Sequence, residues 1–158
     1  DGECESPVDP DDPNEAWHRI KEDQVFVQPL EKSALEGSSG CTRLVLMSDT
    51  HAKHRTIIPP KGDVLIHAGD FTKMGEPGTI RDLNEYFREQ QNSFDDIVCC
   101  AGNHDITLHT NFYVNNWSRF PRKNIVGKPY DEEEIQTYLR DCTYLMDSEC
   151  RTTKGGLH

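Results

Sequence analysis

The chain has no apolar run near the roughly 18 residues that mark a membrane-spanning helix, and none of its six cysteines falls in a Cys-x-x-Cys spacing. The first absence leaves no candidate transmembrane helix in this sequence. The second argues against a structural zinc site. Clusters of Lys and Arg are missing as well: 17 basic residues stand against 28 acidic ones, for a formal net charge of −11. A nucleic-acid or anionic-membrane surface needs concentrated positive charge, so neither partner is expected. Apolar residues are sparse too, at 34%, on the low side for a compact globular chain.

The charge that is present lies unevenly. Residues 1–40 hold 11 acidic and 3 basic residues, while residues 41–158 hold 17 and 14. Asp9-Pro10-Asp11-Asp12-Pro13 and Gly37-Ser38-Ser39-Gly40 read as solvated linker. Residues 1–40 are therefore read as an acidic, disordered segment with a short edge strand at Val25-Phe26-Val27, and residues 41–158 as one folded domain. Cys99 and Cys100 are adjacent on a strand and point to opposite faces, so the even cysteine count is not read as a disulfide framework. Reduced, packed thiols in a cytoplasmic protein are expected. No signal peptide is legible, and the chain opens on Asp1 rather than Met, so targeting information could lie outside this sequence.

From Arg43 onward the pattern changes. Arg43-Leu44-Val45-Leu46-Met47, Asp63-Val64-Leu65-Ile66-His67-Ala68 and Ile97-Val98-Cys99-Cys100 are nearly continuous apolar runs, as strands buried on both faces are. Cys142-Thr143-Tyr144-Leu145-Met146 reads as a fourth. Ile80, Leu83 and Phe87 mark one helical face, with Thr79 as N-cap. Asp131 followed by Glu134 forms a capping-box pattern before Ile135, Tyr138 and Leu139. Phe112, Tyr113, Trp117 and Phe120 suggest a short helix closed by Pro121. Strands alternating with helices predict an α/β chain with a largely parallel sheet. Lys154-Gly155-Gly156 reads as a turn, with Leu157-His158 as the first step of a further strand, and that pattern is read as truncation.

Each of the first three strands ends in residues that bind metals. The first ends in Asp49 and His51, which face the same side in extended backbone. The second ends in Gly69-Asp70, and the third in Gly102-Asn103-His104-Asp105. Carboxyl ends of parallel strands lie along one edge, where ligands bind. The donors are oxygen and nitrogen without thiolate, a set suited to Mn, Fe, Zn, Co or Mg. Asp70, in the middle of the set, suits a bridge between two ions, and paired ions clamp a phosphoryl group. His67 is read as a core histidine. Lys53, His54 and Arg55 are read as a solvated loop, with contact to a substrate phosphate as the alternative.

Together these stretches resemble the first three motifs of the calcineurin-like metallophosphoesterases. The text around them, Ser48-Asp49-Thr50-His51, Ala68-Gly69-Asp70-Phe71-Thr72 and Tyr144-Leu145-Met146-Asp147-Ser148, is similar to the branch called metallophosphoesterase domain-containing proteins. The resemblance implies a four-layer αββα sandwich, of which residues 41–158 would form the N-terminal half. It implies two divalent ions in an intact protein, with Asp49 and His51 on the first, Asp70 bridging and Asn103 on the second. His104 would protonate the leaving oxygen, and Asp105 would orient His104. The implied reaction is hydrolysis of a small phosphomonoester or phosphodiester, or of a nucleotide, by metal-activated hydroxide.

One departure stands out. The family completes its site with a later Gly-His and a Gly-His-x-His motif, and this chain has neither. At most one ion is therefore expected to bind well here, with little turnover. The alternative is a non-catalytic module that binds a metal or a nucleotide.

Overall fold

The computed structural model describes residues 12–25, 28, 40–120 and 130–158. The chain divides into two units, Asp1–Glu36 and Gly37–His158.

In the first unit, α1 spans Pro13–Ile20. Asp12 caps it by accepting the N–H groups of Asn14 at 2.9 Å and Glu15 at 3.3 Å. Pro13 supplies a preset φ at the first helical position, and Glu15 pairs with Arg19 one turn on at 2.5 Å. A 3-10 turn over Lys21–Asp23 follows. Within the acidic segment this helix forms because cap, proline and ion pair act locally and need no core. Of the Val25–Val27 strand, Val25 is exposed coil and positions 26 and 27 lie outside the described residues.

In the second unit, four parallel strands lie in the order of the sequence: β1 (Leu44–Met47), β2 (Val64–His67), β3 (Asp96–Cys100) and β4 (Thr143–Leu145). Leu46 sits opposite Ile66 and Ile66 opposite Val98, so the apolar runs share one register. Between β2 and β3 lies α2 (Pro77–Gln90), and α3 (Thr110–Asn116) and α4 (Glu132–Gln136) precede β4. Ile80, Leu83 and Phe87 on α2 are fully buried against Leu65, Ile97 and Cys99, with Ile135 and Leu139 in the same core. Each such side chain contributes about 1.5–3 kcal/mol of burial. Cys99 faces this core while Cys100 is only half-buried, as strand alternation requires.

Two helix starts differ in detail from the pattern. α2 begins at Pro77, two residues before Thr79, because proline at the first helical position sets the entry. Asp131 does cap α4, accepting the Glu134 N–H at 3.0 Å. The Glu134 carboxylate, instead of closing the box, accepts from the Tyr138 hydroxyl at 2.6 Å.

The opposite face of the sheet carries Leu44, Leu46, Val64, Ile66, Val98 and Leu145. Leu44 is 40% and Leu46 69% exposed. Residues 148–158 cross part of this face and enclose with it a cavity of about 540 Å³. They are pinned at the strand starts, where Lys154 pairs with Asp63 and Thr153 donates to Asp96 through its N–H and hydroxyl, both at 2.7 Å. Residues 153–156 form the predicted turn, which the Thr152 N–H closes onto the Leu157 carbonyl at 2.9 Å, and Leu157 and His158 are coil rather than strand. A mixed α/β unit with helices on one face of a parallel sheet and an apolar second face agrees with the expected N-terminal half of an αββα sandwich.

Candidate metal centre

The carboxyl ends of β1, β2 and β3 meet at one edge, and the backbone there is unusual. Asp49, His51, Ala52 and Asp70 all have positive φ, at 55°, 42°, 65° and 55°. A side chain in that region costs on the order of 1 kcal/mol or more and persists only where the surroundings impose it. Here the imposition is visible. The N–H groups of Asp49, His51 and Ala52 donate to the carbonyls of Gly69, Asp70 and Phe71 at 3.0, 3.0 and 2.8 Å. Asp49 and His51 are therefore not on extended backbone, and the i, i+2 argument for their sharing a side does not hold.

Three donors come together. One donor atom each from His51, Asp70 and His104 lies within 4.8 Å of the other two. The two imidazoles meet edge to face, with ring centroids 4.6 Å apart. His51 Nδ1 lies 3.0 Å from the Thr72 carbonyl and His104 Nδ1 2.7 Å from the Lys73 carbonyl. A carbonyl only accepts, so both rings hold their proton on Nδ1 and present Nε2 as the lone pair. This is the arrangement that orients metal-binding histidines. Asp70 accepts the His104 N–H through Oδ1 at 2.8 Å, which leaves its other oxygen uncommitted. Asp49 and Asn103 are exposed at neighbouring positions, and Asp49 is outside the cluster.

Asp105 does something other than expected. It is fully buried and makes no hydrogen bond to the His104 ring. Its Oδ2 accepts the N–H groups of Asp70 and Gly102 at 2.8 and 2.9 Å. Its Oδ1 accepts the Thr72 N–H at 2.8 Å and hydroxyl at 2.7 Å. The carboxylate ties the loops after β2 and β3 to each other, and the carbonyl of Lys73 orients His104. Two glycines allow the close approach. A Cβ on Gly69, whose φ is +93°, would lie 2.5 Å from Gly102 N, and one on Gly102 would strike the Asp70 carboxylate.

Behind the cluster lie two buried histidines. His67 is fully buried in β2, as expected of a core histidine, with Nε2 at 3.0 Å from the Thr50 hydroxyl. Burial first, then the nearby His54, pushes its pKa down to about 4. His54 is buried as well, and desolvation lowers its pKa although Nε2 donates to Asp82 at 2.9 Å. Arg55 reaches Asp82 at 2.6 Å and Glu89 at 3.1 Å. Neither residue faces the strand-end cluster, so both act as a brace onto α2. Beside Gly102 opens a cavity of about 620 Å³ lined by Leu108, His109, Asn111, Tyr144 and Met146 among others. Burial raises the Tyr144 phenol to about 12.

Sequence reasoning missed Thr72 and Lys73. Thr72 stands in the Gly69-Asp70-Phe71-Thr72 stretch and its hydroxyl was available as a signal; Lys73 acts through a carbonyl that every residue has. Among the described residues, no helix is long and apolar enough to cross a membrane.

Comparison with known proteins agrees with this geometry. The family model for calcineurin-like phosphoesterase matches residues 42–156. Metallophosphoesterase domain-containing protein 1 of Homo sapiens is 39% identical over 120 residues, covering 73% of this chain and 36% of that protein, and its Mus musculus counterpart aligns equally well. A UPF0046 protein of Caenorhabditis elegans is 38% identical over 147 residues, covering 89% of this chain and 48% of its own length. The chain thus spans between a third and a half of these relatives. It belongs to the calcineurin-like phosphoesterases.

Proposed function

We propose that this chain carries the metal-binding half of a metal-dependent phosphoesterase acting on small phosphomonoesters or phosphodiesters, nucleotides included. The observation that carries this reading is the convergence of His51, Asp70 and His104 at the strand ends, with both histidine tautomers set by backbone carbonyls. In the complete site, Asp49, His51, Asp70 and Asn103 would hold divalent ions of the Mn, Fe, Zn, Co or Mg class. Such ions, when bound, lower the pKa of a water and neutralise charge on the phosphoryl group.

The chain's own residues supply the rest. In its cationic form His104 holds one proton against Lys73 and offers the other, on Nε2, to the leaving oxygen. Asp105 fixes Gly102, Asp70 and Thr72, and so sets the distance between the second and third motifs. The cavity beside Gly102 is where the organic part of an ester would lodge, with Leu108 and Met146 as its apolar wall. A cytoplasmic setting, in which Cys99 and Cys142 remain a hydrogen-bonded thiol pair at 3.5 Å, belongs to the same reading.

The later histidine motifs of the family are not in this chain, so alone it acts as a metal-binding module with little turnover. The test is hydrolysis of a chromogenic phosphodiester by this chain and by a version extended to the relatives' length. Metal-dependent turnover only in the extended protein, lost in Asp70→Asn, supports the reading. Robust turnover by this chain alone, or a metal-independent rate in the extended one, refutes it.

A further inference from the structure

We propose that Cys99 and Cys142 are a site of oxidative modification, a thiol pair that hydrogen peroxide converts to a disulfide, locking the segment between β3 and β4. In the resting state the two are hydrogen-bonded thiols with sulfurs 3.5 Å apart. Cys99 lies inside β3 and is 1% exposed. Cys142 is half-buried in a bend one residue before β4. One thiol open to solvent beside a buried one is the arrangement of a reacting and a resolving cysteine.

Neighbouring groups hold this geometry. Cys99 stands opposite Tyr144 in the parallel register, and Cys142, two residues before Tyr144, shares that face. The approach to Cys142 is fixed from α2. The Asn84 side chain accepts the Arg140 and Asp141 N–H groups at 2.8 and 2.9 Å and donates to the Asp141 carboxylate at 2.6 Å. A disulfide needs its sulfurs about 2.05 Å apart, so the pair must close by about 1.5 Å. Cys142 is outside the ladder, and side-chain rotation with a small shift of the bend supplies that movement. The contact with Cys142, and then burial, push the Cys99 thiol well above its ordinary pKa. Cys99 therefore keeps its proton, and Cys142 meets the oxidant first.

The sulfur of Cys142 attacks one peroxide oxygen, the O–O bond breaks, and one water leaves a sulfenic acid at Cys142. The Cys99 sulfur then attacks that sulfur and the S–O bond breaks. The hydroxyl departs with the Cys99 proton as a second water. Two thiols lose two electrons, and one hydrogen peroxide gains them. The new bond joins positions 43 apart and closes a loop that contains Gly102, His104, Asp105 and the cavity wall at Leu108 and His109. Tying the ends of that loop disfavours the unfolded chain, so oxidation stabilises the second unit.

The test is titration of the wild-type chain with hydrogen peroxide, then alkylation with N-ethylmaleimide in denaturant and non-reducing peptide mapping. Expected are the loss of two thiols per chain, a linked Cys99–Cys142 peptide and a urea midpoint raised by about 2–3 M, all reversed by dithiothreitol. Cys142→Ala, which trims a half-buried side chain, should remove the link and the shift, whereas Cys41→Ala and Cys150→Ala should keep both. Links spread over Cys41, Cys100 or Cys150 overturn the inference. So does sulfinic acid at Cys142 with Cys99 still alkylated, or a midpoint that oxidation leaves in place.

Discussion

Replacing Asp105 by Asn should destabilise the second unit strongly, and the cost follows from four hydrogen bonds. The carboxylate is fully buried and accepts from the N–H groups of Asp70, Gly102 and Thr72 and from the Thr72 hydroxyl, at 2.7–2.9 Å. An amide keeps one oxygen and replaces the other by a donor. Toward Asp70 and Gly102, the NH₂ group would meet two donors. Toward Thr72, the hydroxyl can turn and accept, but the Thr72 N–H is then orphaned. The cheaper orientation leaves one buried donor unsatisfied, at about 1–3 kcal/mol, and weakens three charge-assisted bonds by roughly 0.5–1 kcal/mol each. The total is about 2.5–6 kcal/mol, a large part of a marginal stability. With a urea slope of about 1.5 kcal/mol/M, the midpoint should fall by about 2–4 M. Urea unfolding followed by circular dichroism measures it. A midpoint drop below about 0.5 M would refute the role given to Asp105.

Other outcomes follow from the same site. Gly69→Ala and Gly102→Ala should each abolish metal binding, because a methyl group at either position collides with the facing loop; calorimetry reads the loss. Acidification should destabilise the chain. His67, held neutral by burial down to about pH 4, protonates in the unfolded chain near 6.5, so stability is retained above 6.5 and lost between 6.5 and 4, by about 3 kcal/mol. Urea midpoints at pH 7.5 and 5 should show about 2 kcal/mol of this loss, and His67→Gln should flatten it. Leu46→Ser should leave the unfolding free energy within about 0.5 kcal/mol while reducing dye binding to the exposed sheet face.

The parts of this molecule that could be read from sequence are those written in side-chain type. Val64-Leu65-Ile66 and Ile97-Val98-Cys99 announce buried strands because a parallel sheet covered by helices leaves no polar alternation. The residues after each strand were visible for the same reason, since Asp and His at a strand end have no packing role. What escaped was conformation and backbone chemistry. The Asp49-x-His51 spacing suggested an extended segment, yet carbonyls on a neighbouring loop hold both residues at positive φ. Asp105 looked like the partner of the adjacent His104, whereas three of its four bonds go to Asp70 and Thr72, groups brought near by the β2–β3 pairing. The Thr72 and Lys73 carbonyls, which choose the histidine tautomers, leave no trace in residue identity. Helix α1 was hidden by a composition that matches solvated linker, although its cap and proline are legible at Asp12-Pro13.

The most direct measurement is anomalous scattering at the zinc edge from crystals of this chain grown with zinc. A peak at the carboxyl ends of β1, β2 and β3, bound by His51 and Asp70, is the predicted result. No peak there, or a peak bound only elsewhere, would contradict the account.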